Sequence, residues 1–282
     1  MLDRGVRRSV VKNLNGDYSK LFGNIDIFTK ADISFANLEG TASNKGKNMH
    51  NLYSFRMDPA VLPVLASEGF TVLSVANNHI GDWGQSAFTD TLAGLKDNGI
   101  SYTGGGINKT EAEAPVIIER NGIKIGFLAF SDVGPNSMQA GNDTPGILLA
   151  NDPDFDSIIK NAAAQVDYLV VSFHFGIEYQ TKHNQRQEKL AREAIDDGAK
   201  IIVGAHPHVV EDTEFYKNGF IAYSLGNLIF DQSWSKPTMQ GLILQIKLNR
   251  DGTFEVTKYD TELTPFFQIG TITNEASKTT LQ

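Results

Sequence analysis

The chain has 282 residues, a net charge of −8 and a hydrophobic content of 41%. This composition is typical of a globular protein with a sizeable core. It contains no basic run, which argues against nucleic-acid binding through phosphate contacts and weakly against docking on anionic membranes. No stretch of about 18 apolar residues predicts a membrane span. Because there is no cysteine, disulfides, thiolate catalysis and cysteine zinc sites are excluded.

Short apolar runs rich in β-branched residues predict buried strands along the chain. They occupy residues 33–36, 72–76, 168–172, 199–203 and 221–224. Helical patterns stand between some of them: Asp58 and Pro59 predict a helix start, and residues 185–195 are amphipathic. Hairpin turns are predicted at Asn121-Gly122, Asn218-Gly219 and Asp251-Gly252.

Parallel strand–helix units mixed with hairpins predict an α/β fold with two packed sheets and helices outside, a four-layer α/β/β/α sandwich. The candidate site residues spread from Glu39 to Asn227, so a single domain over residues 1–262 must contain them. Residues 263–282, rich in Thr, Ser and Asn, are predicted to form a peripheral tail.

Polar or ionisable side chains follow the predicted strands at the point where each strand meets a loop. They are Glu39, Asn77, Asn78, His79, His174, Glu178, Tyr179, His206, His208 and Asn227. Open α/β sheets bind ligands at the carboxyl ends of their strands. Imidazole is the commonest side-chain metal ligand, and His206 and His208 are close enough in sequence to face one ion or a pair. The pattern predicts a metal-binding active site.

Each of these residues also has a structural interpretation. Asn78-His79 alone is compatible with a turn carrying a buried histidine, and His174 with a core histidine that donates to a carbonyl. Glu178 and Tyr179 could contact substrate, orient a ligand histidine or lie on the surface. Asn227 fits a tight turn equally well.

The sequence leaves the roles of two further residues open. Arg4 could bind an anionic substrate through a bidentate contact, but a frayed terminus is the safer expectation. For Asp231, a role in the site and a structural role are equally well supported by the sequence.

The segments around these residues resemble the bacterial CapA family of poly-γ-glutamate capsule synthesis proteins, within the calcineurin-like metallophosphoesterase superfamily. The matching segments, in family order, are Ala36-Asn37-Leu38-Glu39-Gly40, Ala76-Asn77-Asn78-His79, Ser172-Phe173-His174-Phe175-Gly176, Gly204-Ala205-His206-Pro207-His208 and Ser224-Leu225-Gly226-Asn227. The resemblance covers nearly the whole chain and implies a fold of metallophosphoesterase type.

By position, the resemblance implies that His79 is the catalytic acid, assisting the leaving group or stabilising the developing oxyanion. It implies a bridging role for Glu39 between two divalent ions, which would be Mn, Zn or Fe. Asn78, His174 and His206 would complete the second ion's ligands, and His208 would reach the first. Two ions would activate a water that attacks an amide or phosphoester.

This sequence departs from the family pattern at its start. The family's first strand, which ends in a Gly-Asp pair, is missing ahead of Met1-Leu2, so the first ion keeps only Glu39 and His208 unless Asp3 replaces the lost ligand. The second site is therefore expected to bind metal, and the first weakly or not at all. The missing strand would also expose the edge of its neighbour, an aggregation liability.

The implied function is metal-dependent hydrolysis in poly-γ-glutamate capsule synthesis or processing. The partners would be an anionic polymer or a phosphoester, and membrane capsule-synthesis proteins. The implied location is extracytoplasmic, at the envelope of a bacterium, with any anchor or signal lying outside this sequence. A non-catalytic scaffold or polymer-binding subunit of a capsule complex is the alternative. A nucleotide phosphodiesterase is less favoured, since no aromatic clamp for a base is evident.

Overall fold

The computed structural model describes residues 1–23 and 25–281, with side chains described as far as residue 273. Its helices are α1 (Arg4–Asn13), α2 (Ile27–Lys30), α3 (Val61–Ser67), α4 (Gly84–Asp97), α5 (Lys109–Glu113), α6 (Phe155–Ala163) and α7 (Gln185–Asp196). Its strands are β1 (Phe35–Asn37), β2 (Thr41–Ala42), β3 (Arg56–Met57), β4 (Val72–Ser74), β5 (Ser101–Thr103), β6 (Gly105–Gly106), β7 (Val116–Arg120), β8 (Ile123–Ser131), β9 (Gly146–Ile147), β10 (Tyr168–His174), β11 (Ile201–Ala205), β12 (Thr213–Tyr216), β13 (Gly219–Ala222), β14 (Gln240–Leu248), β15 (Phe254–Leu263) and β16 (Ile269–Leu281).

A six-stranded sheet in the order β12-β13-β11-β10-β8-β7 forms one layer. Its inner strands β8, β10, β11 and β13 are parallel, and antiparallel hairpins close both edges. Every residue of β10 is buried, as expected for a strand covered on both faces. The hairpins predicted at Asn121-Gly122, Asn218-Gly219 and Asp251-Gly252 are confirmed by the pairs β7–β8, β12–β13 and β14–β15.

The second sheet layer consists of a parallel sheet β1-β4-β5 and an antiparallel sheet β14-β15-β16. Apolar side chains line the space between the two sheets: Phe35 of β1 stacks on Phe127 of β8, with ring centroids 5.5 Å apart. Leu244 and Ile246 of β14 pack against the same apolar cluster. These contacts join β1, β8 and β14 through apolar side chains, and the four-layer arrangement stays a prediction.

Helices cover the outer face of each layer. Phe155 of α6 and Leu190 of α7 pack on the six-stranded sheet, in one cluster with Phe173. Val6 of α1 and Leu92 of α4 belong to a second cluster, on the far side of the other layer. The prediction of an α/β fold is confirmed. No helix among residues 1–23 and 25–281 meets the length and hydropathy that a bilayer crossing requires.

The facing edges of β1 and β14 carry no strand between them. In the described part of the chain, β1 pairs with β4 alone, and β14 pairs with β15 alone beyond Leu242. A cavity of about 910 Å³ is lined by β1, by β14 and by apolar residues of the six-stranded sheet such as Val170 and Val203. The expectation of an open strand edge agrees with this arrangement.

Two local predictions need revision. The helix predicted to start with Asp58 as N-cap and Pro59 as first residue starts two residues later, because α3 begins at Val61 and the Asp58 side chain accepts the Ala60 N–H in the turn before it. The tail predicted for residues 263–282 contains the edge strand β16, which pairs with β15 along its length. Its Thr- and Ser-rich composition suits a solvated edge strand as well as a tail.

Candidate active site

The ends of three strands bring the predicted ligands to one edge of the two sheets. His174 is the last residue of β10 and pairs in register with Ala205, the last residue of β11. His206 follows directly, and the ring centroids of His174 and His206 lie 5.0 Å apart. Glu39 lies two residues beyond the end of β1 and is buried. The parallel pairing of β10 with β11 thus places the two imidazoles side by side.

His79 is oriented by a buried carboxylate. Its Nδ1 atom lies 2.8 Å from Oδ2 of Asp82, which is 1% exposed. The same carboxylate accepts the Phe55 backbone N–H and an Asn51 amide N–H, each at 2.8 Å. With Nδ1 engaged, Nε2 of His79 faces the Glu39 carboxylate, 4.0 Å away. The arrangement leaves Nε2 as the ring atom available for chemistry.

His208 is held in the same manner by an amide. Its Nδ1 lies 3.0 Å from Oδ1 of Asn227, whose Nδ2 donates to Gln232 Oε1, to the Thr238 carbonyl and to the His208 carbonyl. Those three contacts fix the amide orientation, so its oxygen is the atom that accepts from His208. Nε2 of His208 then points at Glu39, 3.8 Å from Oε1. Asn227 orients a predicted ligand, and the tight-turn interpretation alone does not account for it.

Of the remaining predicted ligands, His174 and Asn78 contact each other. Nε2 of His174 lies 2.9 Å from Oδ1 of Asn78. Asn77 is fully buried: its Nδ2 donates to the Leu38 carbonyl, and its Oδ1 accepts the N–H groups of Gly40 and His79. Asn77 therefore ties the Glu39 loop to the His79 loop and has no surface for substrate.

Among the residues that the structure describes, several buried polar atoms of this group have no hydrogen-bond partner: Oε1 of Glu39, Nδ1 of His174 and Nδ1 of His206. Buried polar groups are normally satisfied, so orphans gathered at one place fit an ion or water between them. Burial, followed by the neighbouring imidazoles of His206 and His208, lowers the pKa of His174 well below its ordinary range. Burial also lowers the pKa of His206. Neutral imidazoles are the form that binds metal.

The side chains are not arranged as a finished metal cage. Across the described ranges, no group of three or more His, Cys, Asp or Glu side chains is close enough to hold an ion as it stands. The donor set still fits divalent metals of the Zn, Mn and Fe type, because it combines imidazole nitrogens with a carboxylate and an amide oxygen. Oδ2 of Asp3, which could replace the lost ligand, accepts the Arg56 backbone N–H at 2.8 Å.

Three non-glycine residues of these loops adopt left-handed backbone conformations. His206 and His208 have φ values of 103° and 60°, and Tyr179 has 66°. Non-glycine residues in this region are costly and recur at functional sites. The Tyr179 N–H donates to the Pro207 carbonyl at 2.8 Å, which fastens one strained loop to the other.

Arg4 and Asp231 lie beside this group and bind each other. Nη2 of Arg4 is 2.5 Å from Oδ1 of Asp231, and Nε is 3.2 Å from Oδ2. The prediction of a frayed terminus is wrong, because Arg4 opens α1 and Met1 and Leu2 are buried. Apolar packing and an ion pair that links Arg4 to residue 231 hold this end of the chain.

Glu178 and Tyr179 stand at the mouth of the site and are exposed. The Tyr179 ring lies nearly parallel to the His208 ring, with centroids 6.3 Å apart, and its hydroxyl accepts from Gln232. Burial of the hydroxyl, and then the Glu178 charge, raise the pKa of Tyr179 to about 12. Tyr179 is thus a proton donor, not an anion, at neutral pH.

Sequence reasoning did not assign roles to Asp82, Phe55 or Gln232. Asp82 follows His79 by three residues, a spacing that in a tight turn brings two side chains together, and this was the available signal. Phe55 stacks on the His79 ring at 3.8 Å, but nothing in its sequence surroundings predicts that contact. His183, to which the sequence analysis assigns no role, is half-buried against Tyr223 and bound to Asp212.

A family model described as "Bacterial capsule synthesis protein PGA_cap" matches residues 1–232. The PGA biosynthesis protein CapA of Bacillus subtilis is 37% identical over 245 residues, covering 85% of this chain and 64% of that protein. The capsule biosynthesis protein CapA of Bacillus anthracis is 39% identical over 189 residues, covering 66% of this chain and 46% of that protein. The chain thus spans less than two thirds of the length of either relative.

Among solved structures, a hypothetical protein from Thermus thermophilus is similar, with a TM-score of 0.46, 15% identity and 90% coverage of both chains. A 5′-nucleotidase precursor from the same organism has a TM-score of 0.39 and 18% identity, covering 78% of this chain and 41% of that one. The family model and the two Bacillus relatives decide the assignment: the chain belongs to the bacterial capsule synthesis protein family PGA_cap.

Proposed function

We propose that this protein is a metal-dependent hydrolase of bacterial capsule synthesis or processing, acting on an amide of poly-γ-glutamate or on a phosphoester. The observation that carries the proposal is the imidazole of His79, which the buried Asp82 carboxylate orients so that its free Nε2 faces Glu39. A scaffold has no need to orient an imidazole beside unsatisfied ligand atoms, whereas a hydrolase needs both.

Glu39, Asn78, His174 and His206 would hold one divalent ion, of Mn, Zn or Fe, and Glu39 with His208 a second, weaker one. When bound, such ions activate water and draw charge from the bond being broken. The orphaned atoms of Glu39 and His206 support this assignment. His208 would be kept in its ligand tautomer by Asn227.

His79 would deliver a proton from Nε2 to the departing group. The Asp82 carboxylate holds Nδ1 and stabilises the imidazolium before transfer, which makes Asp82 a positioning residue. Phe55 packs against the ring and limits water on that side. Tyr179, with its raised pKa, would offer a hydroxyl donor to the substrate at the mouth, next to Glu178.

The proposed partners are an anionic polymer and membrane-bound capsule-synthesis proteins, and the proposed location is the extracytoplasmic face of the cell envelope. Two observations support them: the membership in a capsule synthesis family, and the similarity to CapA of Bacillus subtilis.

The test is a substrate screen on protein loaded separately with Mn, Zn and Fe. Poly-γ-glutamate is assayed for released amine, and nitrophenyl phosphoesters for released phenol. His79→Asn should lower turnover by about 10²- to 10⁴-fold, the usual contribution of general acid catalysis. His50→Asn is the matched control, since His50 is exposed. Equal turnover in all three proteins would overturn the role of His79; no turnover on any substrate would favour the scaffold.

A further inference from the structure

The guanidinium of Arg4 is clamped along one edge by Asp231. Nε and Nη2 both contact this carboxylate, and the N–H of Gly5 donates to its Oδ2 at 2.7 Å. The Asp231 side chain is 7% exposed, so the clamp is itself immobilised. Because Nε and Nη2 together form the side-on edge of a guanidinium, the direction of the whole group is set.

The clamp leaves the other edge of the guanidinium available. Arginine carries five N–H donors in a planar fork, and the side-on contact with one carboxylate uses two of them. Within the described residues, Asp231 is the only hydrogen-bond partner of the Arg4 side chain. The side chain is 28% exposed. The Nη1 and Nη2 protons that point away from Asp231 therefore form an accessible two-donor edge that matches an oxyanion.

The Arg4 guanidinium and the proposed acid contact the same aromatic ring. The guanidinium carbon of Arg4 is 4.5 Å from the centre of the Phe55 ring. The centre of the His79 ring is 3.8 Å from the same point. Because both groups contact Phe55, one substrate could reach Arg4 with an anionic group and His79 with the bond to be broken.

The backbone is distorted to keep Arg4 in this position. Arg4 has φ +50°, in the left-handed region. The next residue must be glycine, because a Cβ on Gly5 would lie 2.6 Å from Cβ of Asp231. Strain of this kind persists only where surrounding contacts enforce it, and it recurs at ligand-binding sites. An ordinary surface ion pair needs neither feature.

We propose that Arg4 is the anion receptor of the site. Its free Nη1/Nη2 edge binds a carboxylate or phosphate oxyanion of the substrate beside the scissile bond, and Asp231 is the positioning residue that aims it. The inference rests on the proposed function for the identity of the substrate, but the binding of an anion can be measured without turnover.

The test titrates chelator-treated protein with inorganic phosphate and, separately, with glutarate, by calorimetry at fixed ionic strength. Removing a charged bidentate contact should weaken binding about 10- to 100-fold in Arg4→Gln. Arg4→Lys should weaken it nearly as much, because lysine keeps the charge and loses the fork. Arg7→Gln is the matched control: Arg7 lies on the same helix and pairs with the surface carboxylate of Asp58.

The outcomes distinguish a carboxylate substrate from a phosphoester, and they test the receptor proposal separately from the hydrolase proposal. Tighter binding of glutarate identifies a carboxylate substrate, and tighter binding of phosphate a phosphoester. The proposal that Arg4 is an anion receptor would be wrong if Arg4→Gln and Arg7→Gln lost equal affinity for the anions. It would also be wrong if Arg4→Lys kept its affinity unchanged. Should the variants fail to fold, ¹⁵N-arginine spectra of the unaltered protein decide, since the Arg4 side-chain signals must move on anion addition. If Arg4 binds the anion but the protein turns over no substrate, the hydrolase proposal is refuted and the receptor proposal stands.

Discussion

Nδ1 of His79 and Oδ2 of Asp82 lie 2.8 Å apart within one turn of chain, and both side chains are shielded from solvent. The carboxylate is further held by the Phe55 N–H and the Asn51 side chain. Since Asp82 has partners on both oxygens, it cannot rotate away without breaking buried hydrogen bonds. The orientation of the His79 ring is consequently a property of the fold and precedes substrate binding.

Asp82→Asn should therefore lower turnover while sparing metal. An amide can place an N–H toward Nδ1, which favours the wrong tautomer and removes the charge that stabilises imidazolium. We expect a loss of about 10²-fold or more in kcat, with a shifted pH profile. Metal content and circular dichroism should match those of the unaltered protein. A variant with normal kcat and normal pH profile would show that Asp82 only supports the loop.

The ligand assignment predicts unequal metal binding. The site built from Glu39, Asn78, His174 and His206 should retain an ion through gel filtration, and the site of Glu39 and His208 should lose it. His206→Ala should release the retained ion. His183→Ala is the control, because His183 binds Asp212 and stacks on Tyr223 away from the ligands. Mass spectrometry of metals measures the stoichiometry, and two ions of equal affinity would contradict the assignment.

The buried carboxyl group of Glu211 should make the stability of the protein depend on pH. This carboxyl accepts from Gln187 at 2.6 Å, and its other oxygen has no partner in the described part of the chain. Burial raises the pKa of Glu211 from its ordinary 4.5 to about 7. Between these values the folded state holds a proton that the unfolded state releases. The free energy of unfolding should therefore fall as pH rises from about 4.5 to about 7, by up to about 3 kcal/mol.

Glu211→Gln should remove this slope. Glutamine keeps an acceptor for Gln187 and is neutral at every pH, so the variant should be more stable than the unaltered protein at pH 8 and similar to it at pH 4.5. Urea unfolding at several pH values measures the difference. If both proteins keep the same slope, the buried carboxyl is not its source.

The open edges of β1 and β14 predict that an added strand stabilises the protein. Extending the chain ahead of Met1 by about seven alternating β-branched residues should let the extension pair with both edges and fill the apolar cavity. We expect a higher Tm and slower amide exchange in β1 and β14. An extension of the same length made of Gly and Ser is the control, and equal Tm values for the two would contradict the prediction.

Much of the candidate site could be predicted because its residues follow strands in a regular way. His174 ends β10 and His206 directly follows the adjacent parallel strand β11, so the register of the two strands brings these residues together. The hairpins could also be predicted from the sequence, because Asn-Gly and Asp-Gly pairs predict tight turns. These features depend on short-range sequence alone.

Other features depend on contacts between distant residues. The pair of Arg4 with Asp231 joins positions 227 residues apart, and no local pattern predicts it. The role of Phe55 depends on a loop that folds over His79. The strand β16 forms by pairing with β15, although its composition alone favours a tail. Tertiary context decided each of these cases.

The most direct test of the account measures bound metal and turnover per chain on the same samples. Chelated protein is titrated with Mn²⁺, and each point is analysed for both quantities with the best substrate of the screen. The account predicts that turnover rises in proportion to the ion retained at His174 and His206, and that His79→Asn keeps the metal curve while losing turnover. Turnover that is independent of bound metal, or retained metal with no turnover on any substrate, would contradict it.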